Sequence, residues 1–528
     1  MTRKTQAIGI DVGTTGVKAG VIDDAGRMLA EHTVPHDLHS PHAGWAEEDP
    51  ADWERCALTA LAAVAASPLF DPAQVAAIGV SGMVPAMVLL DEDGRPLRAS
   101  IQQNDARAVA EVAELTAKID QDALYARTGG FTNQQHIAPR LLWVQRHEPD
   151  VWRRTRTILG SYDLVTARLA GMPPAECSLE LNWAIESGLF DFRTEAWAPD
   201  LLQAVGLSPG HFPPVKRPAE IVGGLDRATA DRVGLPAGVP LIAGSADHVA
   251  SALAAGLRAD GDTLIKFGGA GDILYCASRP LTHPRLFIDA HDIPGKYLLN
   301  GCMAASGSLV KWYVGDILGR SADKATLTAL DAEALAIPAG SEGVVVLPYF
   351  LGEKTPLMNP EARGVIFGLD LHHGPAHIFR AILEAVIFGF RHHLDVLREA
   401  GHAPSRIVAT NGGVTSGLWR HIAADVLGAP VTSFRGHPGS CLGVAFVAGM
   451  AGGVFDDWAQ IDRFLTEPVV DEPDAVDTAV YTERYAVYRE LYARLRDLFP
   501  LVTGSAAVSR IVSGDASSAA PSTSGVNR

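Results

Sequence analysis

Apolar positions come in short bursts broken by glycine. Residues 7–12 (AIGIDV) are an apolar run that predicts a strand. Gly13-Thr14-Thr15-Gly16 then turns the chain, and residues 17–23 predict a second strand, so the opening reads as a β-hairpin. Helical periodicity follows at 51–67, with Asp49 or Asp52 near its start. Residues 75–81 predict another strand, ending in Ser81-Gly82-Met83. Residues 86–91 and the turn Asp91-Glu92-Asp93-Gly94 predict one more hairpin, and helices are expected at 105–116, 139–147 and 162–170.

The middle is proline-rich over 209–218, and the run 238–244 places a domain boundary near Gly244. The opening grammar then recurs: a strand at 263–267, the turn Gly268-Gly269-Ala270-Gly271, and a strand at 273–277. Two similar hairpins about 250 residues apart would be explained by two similar halves facing each other, although glycine-rich hairpins are common enough to recur without that. Later come a long amphipathic helix at 375–400, a strand at 407–411 ending in Gly412-Gly413, and a helix at 416–427. The small-residue helix at 440–451 could pack tightly on a sheet or a ligand. The expected division is residues 1–244, residues 245–500, and a Ser/Ala/Gly-rich disordered tail at 501–528.

Composition narrows the function classes. The 528 residues exceed what one core fills, since single cores stop growing at roughly 250–300 residues. A formal charge of −17 argues against a nucleic-acid coat or an anionic membrane surface, but leaves room for a local phosphate pocket. The five cysteines are far apart with no CxxC pair, which argues against a disulfide framework or structural zinc and fits a reducing cytoplasm. The nearly apolar stretch 442–455 is short of the ~18 residues of a membrane span, so a soluble, cytoplasmic protein is expected.

Three glycine turns after strands could cradle phosphate with backbone N–H groups. At the first, Thr14 and Thr15 add hydroxyls, Lys18 adds charge, and the Asp11 carboxylate could hold hydrated Mg²⁺; taken alone, this turn reads more readily as a plain hairpin with an exposed Asp. No P-loop or Rossmann fingerprint is present, since GTTG leads into a strand. Asp247, in GSADH, opens an apparent helix, where it could cap the helix or accept a proton from a substrate hydroxyl. His248 reads as a solvated neighbour. Gln103-Asn104-Asp105 and Arg107 suit hydrogen bonding to a polyol, or a helix cap. The pairs His372-His373 and His392-His393 read as solvated or packing residues rather than metal ligands.

The order of these motifs resembles the FGGY carbohydrate kinases, and within them the xylulokinases, from about residue 7 to 499. IGIDVGTTGVKAGVID is similar to the family's first phosphate segment, and GSADHVASALAAG to the segment with its catalytic Asp. LGEKTPLMNPEARGVIFGL and TNGGVTSGLWRHIAADVLGAPV resemble its later block and its adenosine segment. The resemblance implies two actin-like, ribonuclease-H-like α/β domains with ATP and sugar in the cleft between them, and a homodimer as the family expectation. It implies Asp247 as general base, Asp11 on Mg²⁺, and Thr14, Thr15 and Lys18 at the phosphates. Gly268, Gly269 and Gly271 would cover the phosphates from the other domain, and Gly412, Gly413, Ser416 and Trp419 would lie near adenosine. Met83, Gln103, Asn104, Asp105, Arg107 and Asp247 would meet the sugar or polyol.

The chain also departs from the xylulokinase pattern. Pro85 stands where those enzymes carry His, Gln103 where they carry Trp, and Gly269-Ala270 where they carry Thr-Ser. The first two changes fall at the sugar site, so a pentulose is favoured while erythritol, ribulose and fuculose stay open. Rival readings from other classes are an actin-like nucleotide-dependent binding protein and a sugar-sensing pseudokinase.

Overall fold

The computed structural model describes residues 3–280, 282–435 and 439–503. The first half runs β1 (Gln6–Gly13), β2 (Gly16–Asp23), β3 (Met28–Pro35), α1 (Pro50–Ala65), β4 (Val75–Gly82), β5 (Val88–Leu90), α2 (Val109–Lys118) and α3 (Ile137–His147). It continues with β6 (Thr157–Leu159), α4 (Ser161–Leu169), α5 (Leu181–Glu186), β7 (Ile221–Gly224), β8 (Pro240–Ile242), β9 (Ser245–Ala246) and α6 (Asp247–Ala254). Asp49 caps α1 by accepting from the Ala51 N–H, with Pro50 at the first helical position.

The second half runs β10 (Asp262–Phe267), β11 (Gly271–Ala277), β12 (Phe287–Ala290), β13 (Tyr297–Met303), α7 (Gly307–Trp312) and α8 (Pro375–Glu399). It ends with β14 (Arg406–Thr410), α9 (Gly417–Leu427), β15 (Val431–Phe434), α10 (Ser440–Ala451), β16 (Pro468–Asp471) and α11 (Ala475–Leu495).

Each half builds a seven-stranded sheet. The first has the order β7-β8-β4-β1-β2-β3, with β9 also on β4; the second has β12-β13-β11-β10-β14-β15-β16. From β3 through β2, β1, β4 and β8 to β7 the pairings are antiparallel, antiparallel, parallel, parallel, antiparallel. From β13 through β11, β10, β14 and β15 to β16 the same series recurs. The two glycine hairpins are therefore equivalent elements of two like sheets, as their recurrence in the sequence predicts.

The hairpin expected at 86–94 forms in short form, and three other expectations need correction. The turn at 91–94 forms, with the Gly94 N–H on the Asp91 carbonyl at 3.0 Å, and a short antiparallel return follows, the Asp91 N–H donating to the Arg95 carbonyl at 3.0 Å and the Leu97 N–H to the Leu89 carbonyl at 2.9 Å. Pro96 bridges Leu90 between those two bonds, at a position that needs no N–H donor, and β5 pairs with β6 as well. The helix expected at 105–116 starts at Val109, because the Asp105 side chain is committed elsewhere. The boundary near Gly244 separates β8 from β9, although both pair with β4, so Asp247 belongs with the first sheet. The proposed tail begins in a short helix, Phe499–Thr503, and the rest of it lies outside the described residues.

The helix α10 comes from late in the chain yet lies on the first sheet. Leu442, Val444, Phe446 and Val447 share a core with Ala7, Ile22, Ala76 and Ile242, and with Ala250 and Leu253 of α6. Small residues allow the approach: a Cβ on Gly443 would sit 2.0 Å from the Ala250 carbonyl oxygen, and one on Gly9 2.2 Å from that of Cys441.

Candidate active site

A cavity of about 360 Å³ opens between the two sheets. Gln103, Asn104, Glu186, Asp247 and His248 line it from the first half; Lys266, Ala270, Asp272, Asp289 and Asn300 line it from the second.

Asp247 is the first residue of α6 and does not cap it; the N-cap is Ala246, without a side-chain bond. Its Oδ1 accepts from the His248 N–H at 2.6 Å. Gly244 sets this position: at φ +101°, its backbone runs so near Val80 that a Cβ would lie 2.1 Å from that carbonyl oxygen. Burial pushes the Asp247 carboxyl up, but His248 and Lys266 outweigh it and hold it below the usual range.

His248 is not a solvated neighbour. Its Nδ1 is 3.5 Å from Asp247 Oδ1, and its Nε2 is 3.2 Å from Asp289 Oδ2 and 3.8 Å from Glu186 Oε1. Burial opposes its charge, yet these three carboxyls raise its pKa well above the ordinary histidine value. Glu186 is pushed up to about 8, by burial first and then by Asp289.

Asp11 sits at the end of β1, where Ser81 Oγ donates to its Oδ1 at 2.8 Å. Burial and then the nearby Asp247 raise its pKa, against the opposing pull of Ser440, Ser81 and Lys18. Lys18, directly across from Asp11 in the β1–β2 register, forms an ion pair with Glu31 at 3.2 Å. Thr14 and Thr15 form the two-residue loop beyond, with Thr15 exposed. At the equivalent loop of the second sheet, Ala270 faces the cavity. The Gly268 carbonyl accepts from the Gly307 N–H at 2.7 Å, and the Gly269 carbonyl from the Ser306 and Ser308 N–H groups, tying the loop to the start of α7. Gly271 closes the hairpin opposite Phe267.

Other expected residues are placed differently. Asp105 and Arg107 do not line the cavity. Asp105 Oδ2 accepts from the Ala46 N–H at 2.6 Å and pairs with Arg107 at 2.7 Å. Arg107 also lies 3.7 Å above the Trp45 ring, so the two residues anchor the loop that carries Gln103 and Asn104. Met83 is buried behind Val84, and its carbonyl accepts from Ser161 Oγ. Ser416 caps α9 by accepting from the Trp419 N–H at 3.0 Å. Trp419 is core: its indole donates to the Leu383 carbonyl at 3.1 Å and packs on Phe267. A Cβ on Gly413 would meet that indole at 2.7 Å, so this glycine serves packing, while Gly412 stays exposed.

Several lining residues escape the sequence reading. Lys266 pairs with Asp272 at 3.5 Å across the β10–β11 ladder. A lysine interrupting the apolar run TLIKF was its available signal. Arg140, fully buried in α3, donates to the Ile101 and Gln102 carbonyls at 3.0 and 3.1 Å and so holds the Gln103 loop from behind. Glu186, Asp289 and Asn300 carry no local signal.

Two like α/β sheets with a charged cleft between them, and the second sheet's glycine hairpin on its wall, match a known design. The model of the FGGY family of carbohydrate kinases, N-terminal domain, matches residues 6–254, and its C-terminal domain matches residues 277–452. The chain belongs to this family: it is a carbohydrate kinase, which transfers phosphate from ATP to a sugar hydroxyl. It is 31% identical over 481 residues to the xylulose kinase of Escherichia coli (strain K12), covering 90% of this chain and 96% of that one. The crystal structure of xylulose kinase from Rhodospirillum rubrum superposes with a TM-score of 0.87 at 42% identity, covering 94% of this chain and 99% of that one. A xylulose kinase structure from Brucella ovis gives a TM-score of 0.85 at 30% identity, covering 93% and 100%. Among the described residues, no helix is long and apolar enough to cross a membrane.

Proposed function

We propose that this kinase phosphorylates a small neutral ketose, with D-xylulose as the first choice, and that Asp247 accepts the hydroxyl proton. The observation that carries the reading is Asp247 itself. It is a carboxyl held ionised by His248 and Lys266, at a helix start, in a cavity walled by Gln103 and Asn104 on one side and the second hairpin on the other. The substrate hydroxyl would give its proton to Asp247 as its oxygen attacks the γ-phosphorus and the bond to the leaving ADP oxygen breaks. Phosphoryl transfer depends chiefly on positioning and on charge stabilisation. Lys266 and the amides of the 268–271 loop suit the second role, and the Gly13–Gly16 hairpin is the equivalent element of the first sheet.

Asp11 fits a divalent cation. Its buried carboxyl is raised by desolvation and then by Asp247, and a cation beside it would favour its ionised form. Mg²⁺ bound there through water would neutralise phosphate charge in the transition state. Names of relatives support xylulose over other ketoses. The Pro85 and Gln103 departures leave the hydroxyl pattern to experiment, because a site built to bond a hydroxyl discriminates strongly against its absence.

ADP release measured with ATP and Mg²⁺ against pentuloses, hexuloses, tetritols and pentitols tests the proposal. Strong turnover of D-xylulose is expected; a clear preference for a tetritol or hexulose would overturn the substrate, and turnover of none would overturn the whole reading.

A further inference from the structure

The second domain enters the cavity with more than its hairpin. Asp289 stands on β12, the edge strand of the second sheet, and its side chain is 1% exposed. Its Oδ2 accepts from Asn300 Nδ2 on the neighbouring β13 and lies 3.2 Å from His248 Nε2. Its Oδ1 is buried, belongs to a cavity-lining residue and accepts no hydrogen bond. His248 Nε2 is in the same condition: close to carboxyls but aligned for no hydrogen bond.

We propose that Asp289, with His248 beside it, forms a subsite that reads one hydroxyl of the sugar outside the transferred group. This rests on the kinase reading above and deepens it. A hydroxyl both donates and accepts. Asp289 Oδ1 supplies the open acceptor and His248 Nε2 the open donor, so one hydroxyl satisfies both. The acidic cluster around His248 favours its charged form, which keeps Nε2 a donor. Asn300 occupies the other carboxyl oxygen and so aims Oδ1. Because His248 starts α6 in the first half and Asp289 ends β12 in the second, a sugar held here touches both walls.

Docking between the halves fixes the subsite. Asn182, on α5, accepts from the Ala290 N–H at 2.8 Å and donates to the Ala290 carbonyl at 3.0 Å, gripping the residue after Asp289. Ile185 and Ile288 pack in the same apolar cluster. The same helix ends at Glu186, the third member of the group.

Calorimetric titration of D-xylulose into the nucleotide-free enzyme tests the subsite, alongside steady-state kinetics of wild type, Asp289→Asn and His248→Gln. Both variants should bind D-xylulose at least about tenfold more weakly; in Asp289→Asn KM should rise in step and kcat change less than about threefold, while His248→Gln, which also removes a charge that keeps Asp247 ionised, is judged by binding alone. Binding of MgADP should stay at the wild-type value. Among singly deoxygenated D-xyluloses, one analogue should lose its penalty in Asp289→Asn. Should that variant fail to fold, His248→Gln carries the same comparison. Wild-type sugar affinity in the variants, or a loss that extends to MgADP, overturns the subsite. Sensitive binding without phosphate transfer by wild type would leave the subsite standing and remove the kinase mechanism; no sugar binding at all would remove both.

Discussion

As the proposed base, Asp247 meets opposed demands: that role needs it charged, yet it lies where burial disfavours charge. His248 and Lys266 decide the balance, and the carboxyl stays ionised. Asp247→Asn keeps the shape and removes the acceptor, so kcat should fall at least about 100-fold while calorimetry still shows ATP binding. Asp11→Asn should leave D-xylulose affinity intact and raise the Mg²⁺ concentration needed for half-maximal rate. Asp247 and Asp11 were readable in the sequence because each sits at the end of a recognisable element. Asp289 and Glu186 were not, because helix–strand docking between residues about a hundred apart creates their proximity. Asp105 and Arg107 show the opposite failure. Their residue types suit a polyol, but a backbone amide and an ion pair occupy them.

At the scale of elements, the contact between α6 and α10 positions the chemistry. Gly443 lies against the Ala250 backbone, one turn below Asp247, and any Cβ there collides at 2.0 Å. Gly443→Ala should force the helices apart and cost about 1–3 kcal/mol in urea unfolding. kcat should fall with it, because α6 carries Asp247. Most strands and helices were readable from periodicity, including the small-residue character of 440–451. Its destination was not, since no local pattern says that a late helix covers an early sheet. The hairpin expected at 86–91 forms but stays short, with Pro96 facing Leu90 between two ladder bonds where no N–H donor is needed.

For the whole molecule, two sheets with the same series of pairings explain why the glycine hairpins recur, and the cleft between them explains why neither hairpin is sufficient alone. His291 contributes to the link between halves. Its Nε2 donates to the Leu257 carbonyl at 3.0 Å, and its Nδ1 accepts from the Ile293 N–H at 3.1 Å. Burial pulls its pKa from 6.5 down to about 4, so the folded state holds it neutral. The unfolded chain takes up that proton first as pH falls. The histidine's contribution is therefore whole above about pH 6.5 and drains away toward pH 4, by as much as about 3 kcal/mol. Urea unfolding of wild type and His291→Gln across this range should show wild type losing ground as pH falls; parallel curves would refute it.

The late helix also bears on how the protein is made. The face of the first sheet that α10 covers stays bare until residue 451 has been synthesised, well after β9 completes the sheet at Ala246. At about 5–20 residues per second, a ribosome needs roughly 10–40 seconds to cross that interval. During it, Ala7, Ile22, Ala76 and Ile242 are left without their cover. A nascent chain stopped at residue 254 should therefore be a target for chaperones rather than a folded domain.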